Sequence, residues 1–211
     1  MMIKIYYAGF SLVRERGDYP LSEYRKAQLI RMRPPYARRA AIGAELLLSH
    51  ALGEACPNVT LPPDIITNEH GKPYLRGGEL KFSLSHSGRL VAVALCDEEI
   101  GLDIQEKAEY NPKLAARFFT DDEQAYIEQS TDKGAAFTEI WSKKESYIKA
   151  IGTGLSTPLN SFSVMDKSGF YYTPLDGYAL SVCVPGTTEP QVEFIKRVEI
   201  VYIFRGAIHC V

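Results

Sequence analysis

The sequence predicts a mixed α/β (α+β) protein built as a pair of similar lobes, residues 1–99 and 100–211. Three observations lead there. Each half places helices first and then strands that end on an apolar run, RLVAVALC (89–96) in one and YALSVCV (178–184) in the other. A hydrophobic content of 45% in 211 residues is enough to bury a core. No low-complexity stretch or flexible linker separates the halves, so they are expected to pack closely. Identities do not recur at a fixed period, so the likeness between the halves is one of pattern.

The elements follow in order. IKIYYAGF (3–10) reads as a first strand, and after a polar turn a helical pattern starts near Ser22. Pro34 and Pro35 interrupt it, because a proline ring removes an N–H and clashes with the preceding turn, and it resumes through ARRAAIGAELLLSHAL (37–52). Strands are expected in DIITNEHGKPYL (64–75) and LKFSLSHSG (80–88), punctuated by Gly71 and Pro73. RLVAVALCD and IGLDIQ (100–105) flank the acidic turn Asp97-Glu98-Glu99, as a hairpin or as the crossing between halves. Helices around 111–130 and 134–152 open the second half. Strands are then expected in SFSVM (161–165), FYYTPL (170–175), YALSVCV and QVEFIKRVEIVYIF (191–204).

Composition limits the function classes. A net charge of −2 gives no overall attraction to nucleic acid or an anionic membrane. Cys56, Cys96, Cys183 and Cys210 are widely spaced, none in C-x-x-C, which favours buried free thiols in a reducing compartment over disulfides or a metal site. MMIKIYYAGF lacks the features of a signal peptide, and no apolar run reaches the ~18 residues of a membrane span. A soluble cytoplasmic protein is expected.

In FTEIWSKKESYIKAIGTGL (137–155), helical spacing puts Phe137, Ile140, Trp141, Ile148 and Ile151 on one apolar stripe, with Glu145 and Lys149 one turn apart on its flank. The plain reading is an i,i+4 ion pair. Lys144, however, projects toward the middle of the apolar face, and a carboxylate bordering a buried stripe gains from a nearby cation. In IGLDIQ, strand alternation turns Leu102 and Ile104 inward and sets Asp103 and Gln105 on the opposite side. Asp103 and Glu145, with the amide oxygen of Gln105 or a water, suit Mg²⁺, which takes oxygen ligands and only one or two carboxylates; a merely polar strand face is the alternative.

Arg25, Lys26, Arg31, Arg33, Arg38 and Arg39 form a basic cluster with no acid between residues 25 and 39. It fits an anionic ligand or a solvated helix face; without interleaved stacking aromatics it does not suggest nucleic acid. Lys72 precedes Pro73, which holds it extended, so that its main chain can meet a planar base and its ammonium a phosphate. Ser85 and His86 end a strand; neighbours on a strand point apart and G-x-S-x-G is absent, which argues against a Ser-His hydrolase and leaves His86 as a phosphate donor or a capped loop histidine. Thr120 to Glu123 (TDDE) matches a capping box, and a catalytic Glu123 would have to face Asp103.

GKPYL, FSLSHSG, IGLDIQ and WSKKESYIKAIGTGL, in this order and spacing, resemble the 4′-phosphopantetheinyl transferases of the two-lobed, surfactin-synthetase-activating type, with further similarity in RFFTDDE and STPLNSFSV. The resemblance implies a pseudodimer of two α/β lobes. It implies transfer of the phosphopantetheine arm of coenzyme A to a serine of an acyl or peptidyl carrier protein, as in holo-[acyl-carrier-protein] synthases, with Mg²⁺ and release of 3′,5′-ADP. It places metal binding on Asp103 and Glu145, phosphate contact on Lys149, the adenine neighbourhood on Lys72 and Pro73, and the phosphates on Ser85 and His86. Arg39 is the member of the basic cluster implied for the cleft, with Arg25 and Lys26 less clearly aligned. Where the family pattern has D-x-E this chain has Asp103-Ile104-Gln105, so three carboxylates become two and a neutral oxygen. A monomer is implied, because two lobes in one chain already contain the cleft.

Overall fold

The computed structural model describes residues 2–78 and 80–200. Cys210 and residues 201–204 of the last predicted strand lie outside them.

Strand β1 (Ile3–Gly9) is followed by helices α1 (Glu23–Arg31) and α2 (Pro35–Ala55). Ser22 caps α1, its hydroxyl accepting from Arg25 N at 3.2 Å. Helix α1 stops before Arg33-Pro34, and Pro35 starts α2 as its first residue, where a missing N–H costs nothing. A short hairpin, β2 (Ile65–Thr67) and β3 (Pro73–Leu75), precedes β4 (Lys81–Ser87) and β5 (Leu90–Cys96). The second half contains β6 (Gly101–Glu106), α3 (Pro112–Phe118), α4 (Asp121–Gln129), α5 (Lys133–Ile151), β7 (Phe170–Leu175), β8 (Tyr178–Cys183) and β9 (Val192–Arg197).

Besides the β2-β3 hairpin, the described residues form two larger sheets, ordered β4-β5-β1-β9 and β6-β8-β7. Alternation on each strand makes them two-faced. Tyr6, Ala8, Val91, Val93 and Leu95 pack under the long apolar face of α2, whereas Ile3, Ile5, Ala92 and Ala94 meet Leu102, Ile104, Leu180 and Val182 of the second sheet. Helix α5 covers the other face of that sheet, touching β6 and β8. The layers therefore run α2, first sheet, second sheet, α5. A third cluster, Ala115, Phe119, Ile127, Phe137 and Ile140, gathers α3 and α4 around the first half of α5.

One open alternative is decided and three local expectations change. The acidic turn at 97–99 is a crossing and not a hairpin, because β5 and β6 belong to different sheets. SFSVM forms no strand: Val164 N donates to Glu123 and Phe162 O accepts from Lys144, so side chains from α4 and α5 take the groups a ladder would use. Strand β9 pairs in parallel with β1, so a segment late in the chain joins the first sheet. On α5, Phe137, Ile140 and Ile148 are buried, but Ile151 is 37% exposed at the helix end and Trp141 is half-buried among Phe118, Phe119 and Phe137. Cys96 and Cys183 are buried free thiols, and burial raises both pKa values, that of Cys183 to about 12.

Candidate active site

The site lies where β6, β4 and α5 converge, and a glycine sets the approach. A Cβ on Gly101 would lie 1.9 Å from Ser146 O and 2.4 Å from Ala150 N, so only glycine lets β6 press against the α5 backbone. Two residues later on the same side, Asp103 is buried, and its Oδ1 accepts from Lys149 Nζ at 2.6 Å and from Ser85 Oγ at 2.7 Å. Lys149 Nζ also donates to Ser85 Oγ at 3.0 Å, closing a three-membered network. Lys149 thus pairs with Asp103 and forms no ion pair with Glu145, which removes the i,i+4 surface pair as the reading of this helix flank.

The remaining groups are poised and unpaired. Asp103 Oδ2 is buried without a hydrogen-bond partner. Glu145 is half-buried and, among the described residues, has no hydrogen-bond or ion-pair partner. Burial raises its pKa, the Lys149 ammonium opposes this, and Asp103 adds to it, so the two carboxylates sense one another. Gln105 is half-buried with its amide likewise unpartnered among the described residues. Water reaches His86, yet the protein around it lowers its pKa, through desolvation first and the Lys149 charge second, which keeps the ring neutral near pH 7.

Beside this network is a cavity of 250 Å³ lined by Lys72, Pro73, Phe82, Leu84, Lys149 and Gly152 among others. Gly152 ends α5 in the left-handed region at φ 72°, and its carbonyl accepts from Asn68 Nδ2 at 3.0 Å, which ties the β2-β3 hairpin to the helix end. Lys72 differs from expectation: its side chain is 8% exposed, and its ammonium donates to Glu99 Oε2 at 2.6 Å and Ala150 O at 2.7 Å. It neutralises an α5 carbonyl where the helix dipole is negative, and Lys72 and Pro73 both line the cavity.

Other predicted residues lie elsewhere. Glu123 is fully buried; it accepts from Thr120 N at 2.9 Å, the return half of a capping box, and from Val164 N at 2.8 Å, and pairs with Lys144 at 2.8 Å. Its partners include neither Asp103 nor Glu145. Arg39 lines a separate cavity of 520 Å³ with Ser11, Val13, Arg14 and Tyr19. Arg25 is buried against Glu45 at 3.1 Å and is not an open cation, whereas Lys26 pairs with Glu23 at 2.8 Å on the exposed side of α1.

Hard oxygen donors make up the centre. Among the described residues no three His, Cys, Asp or Glu side chains converge as a metal cluster; the two acids whose charges act on one another here are Asp103 and Glu145. The orphaned Asp103 Oδ2 and the unpaired Glu145 are the hard oxygen donors a small divalent ion takes, and strand alternation sets Gln105 on the same side of β6 as Asp103.

Comparison with known proteins gives the chain a family. Residues 99–183 match the model of the 4'-phosphopantetheinyl transferase superfamily. The 4'-phosphopantetheinyl transferase AcpT of Salmonella typhimurium is 33% identical over 165 residues, 74% of this chain and 82% of that protein. The chain belongs to this superfamily. Relatives within it include the 4'-phosphopantetheinyl transferase gsp of Aneurinibacillus migulanus, 38% identical over 48% of this chain, and Sfp of Bacillus subtilis, 40% identical over 46%. The chain spans only about half the length of these two, 43% and 45%. Asp103, Glu145 and Lys149 fall inside the superfamily match, whereas Lys72, Ser85 and His86 precede it.

The motif reading missed Ser83 and Ser87. On the β4 edge Ser83 Oγ accepts from Leu102 N at 2.9 Å and Ser87 Oγ from Glu106 N at 3.0 Å, with Ser85 bonding Asp103 between them. Three serines at a period of two thus stitch β4 to β6 across the sheet boundary. The signal was present in FSLSHSG as S-x-S-x-S on one strand face.

Proposed function

We propose that this protein transfers the 4′-phosphopantetheine arm of coenzyme A to a serine of an apo acyl or peptidyl carrier protein, with Mg²⁺ as cofactor and 3′,5′-ADP as the leaving group. The observation that supports it most is the Ser85–Asp103–Lys149 network beside the unpaired Glu145, opening onto the cavity walled by Lys72 and Pro73. Asp103 Oδ2, Glu145 and the Gln105 amide oxygen would hold Mg²⁺, which supplies charge neutralisation at the diphosphate. Lys149, fixed by Asp103 and Ser85, brings a positive charge to the phosphates, and neutral His86 offers them a ring N–H. Asp103 already has two donors on one oxygen, whereas Glu145 has none among the described residues, which makes Glu145 the more open of the two carboxylates at the reacting phosphate. Lys72 and Pro73 set the wall against which the adenine lies.

The proposal extends to organisation. The lobes divide near residue 99, with β9 crossing back to the first sheet, and the cleft between them makes a monomer sufficient. No helix among the described residues is long and apolar enough to cross a membrane, which fits action in the cytoplasm on soluble carriers. A non-catalytic coenzyme A-binding or carrier-binding homologue is the competing reading, motivated by Gln105.

Incubation of a panel of apo carrier proteins with coenzyme A and Mg²⁺, followed by intact mass measurement, tests the assignment. Gain of one phosphopantetheine is expected, and Glu145→Gln abolishes it while the protein still unfolds cooperatively. No mass gain on any carrier would overturn the transferase reading.

A further inference from the structure

We infer that Tyr36, in the first turn of α2, is a positioning residue that orients the His86 ring for the phosphates of coenzyme A. The inference rests on the function proposed above. Strand alternation turns His86 away from the side of β4 on which Ser83, Ser85 and Ser87 meet β6, and toward the side on which Phe82 joins the core under α2. Among the described residues neither ring nitrogen of His86 has a hydrogen-bond partner, so no hydrogen bond decides which way the ring faces. One aromatic neighbour does. The Tyr36 ring meets that of His86 at an interplanar angle of 75° with centroids 6.2 Å apart, and it also meets the buried Phe10 ring, centroids 5.6 Å apart. Tyr36 therefore links an exposed histidine to the core beneath α2.

The backbone beyond His86 is held as well. The Tyr36 hydroxyl donates to Gly88 O at 3.0 Å, in the turn that follows β4. The same turn is gripped from the second sheet, where Arg89 N donates to Tyr178 Oη at 3.1 Å and Ser87 Oγ accepts from Glu106 N at 3.0 Å. Gly88 lies at φ 51°, and a Cβ there would stand 2.6 Å from Tyr178 Oη and 2.7 Å from Glu106 Oε2, so only glycine gives the chain this course. With the turn fixed, rotation about the side-chain bonds is the freedom left to His86, and the Tyr36 ring restricts it. An edge-to-face aromatic pair favours one orientation by about two- to tenfold, which is the share of ligand affinity that a correctly turned imidazole can gain here.

Proton NMR of the His86 ring, assigned by the signals missing from His86→Ala, reads the contact on the full chain without ligand. Tyr36→Leu should move these signals, because it removes the ring current of an adjacent aromatic, and Tyr36→Phe should leave them in place. Calorimetry of coenzyme A binding with Mg²⁺ reads the consequence, an affinity about two- to tenfold weaker for Tyr36→Leu and no such loss for Tyr36→Phe, which lacks only the bond to Gly88 O. Added to His86→Ala, Tyr36→Leu should weaken binding no further, since the ring through which it acts is gone. Unmoved His86 signals in Tyr36→Leu overturn the inference. So do losses that add in the double variant, because Tyr36 would then act without His86. A loss in Tyr36→Phe equal to that in Tyr36→Leu transfers the effect to the Gly88 bond and overturns the ring contact. Those three results leave the proposed function standing, whereas coenzyme A that fails to bind the wild type overturns that function and the role of Tyr36 with it.

Discussion

Replacing Lys144 by methionine removes a cation that the structure buries completely. Lys144 and Glu123 are both 0% exposed and 2.8 Å apart, and Lys144 Nζ also donates to Leu159 O at 2.7 Å and Phe162 O at 2.6 Å. Methionine fills the space of the aliphatic stem but leaves the Glu123 carboxylate in the interior with only the Thr120 and Val164 amides, and leaves two carbonyls without their donor. Breaking a buried pair from one side costs ~3–5 kcal/mol. That is a large share of the ~5–15 kcal/mol that holds a typical domain together. With a urea slope of about 2 kcal/mol/M, the unfolding midpoint should fall by about 2 M at pH 7. The second arm is the cycle with Glu123→Met. Removing both ions takes away the uncompensated charge, so the double variant should lose less than the sum of the singles by ~0.5–3 kcal/mol. A loss below about 1 kcal/mol for Lys144→Met, or additivity in the cycle, would refute the claim that this pair anchors the 157–165 segment to α5.

Three further perturbations test other parts of the site. The Glu145 carboxyl is held above its ordinary 4.5 by burial, so the folded state keeps that proton longer than the unfolded chain, and the group's contribution to stability falls as pH rises from about that value through the folded pKa. Glu145→Gln lacks this loss and should melt higher than the wild type at pH 8 but about level with it below pH 4; a difference independent of pH would contradict the assignment. Ser83→Ala strips the buried Leu102 amide of its acceptor and should cost ~1–3 kcal/mol in urea unfolding, against less than about 0.5 kcal/mol for Ser87→Ala at the exposed end of the seam. Equal costs would show that the seam is not held at its buried end. Gly101→Ala places a methyl 1.9 Å from Ser146 O and should destabilise by at least the ~1–3 kcal/mol of overpacking, seen as a lowered melting temperature or lost soluble yield; an unchanged melting temperature would mean β6 and α5 are farther apart than described.

What the sequence disclosed depended on the range of the interaction. The helix start near Ser22, the break between two helices at Pro34-Pro35 and the inward turn of Leu102 and Ile104 follow from local rules, and the structure repeats them. Asp103 beside Lys149 was legible only as the meeting of motifs 46 residues apart, since nothing in either segment states its partner. Lys144 stood out as a charge on an apolar face, but its partner Glu123 was concealed by a capping-box pattern that explained the same carboxylate locally. SFSVM has strand composition, and α4 and α5 override it by claiming its backbone groups. Lys72 was expected to hold a phosphate; its ammonium instead meets Glu99 and the end of α5, a pairing set by how the β2-β3 hairpin folds over the helix. The parallel pairing of β9 with β1 leaves no local trace at all, because an edge position is decided by the rest of the sheet.

That parallel pairing also bears on the birth of the protein. Ile3 finds Val192 roughly 190 residues later, a separation that places it among the slowest contacts to close. At a ribosomal output of ~5–20 residues per second, β1 waits roughly 10–40 s with one flank of its backbone unclaimed, even when β5 has docked on the other. During that interval a nascent chain carries a bare apolar strand rim, which is the feature that invites pairing with a neighbour on the same message. The first sheet is therefore completed late in synthesis, and conditions that slow elongation past residue 100 should weigh on soluble yield more than on the stability of the finished molecule.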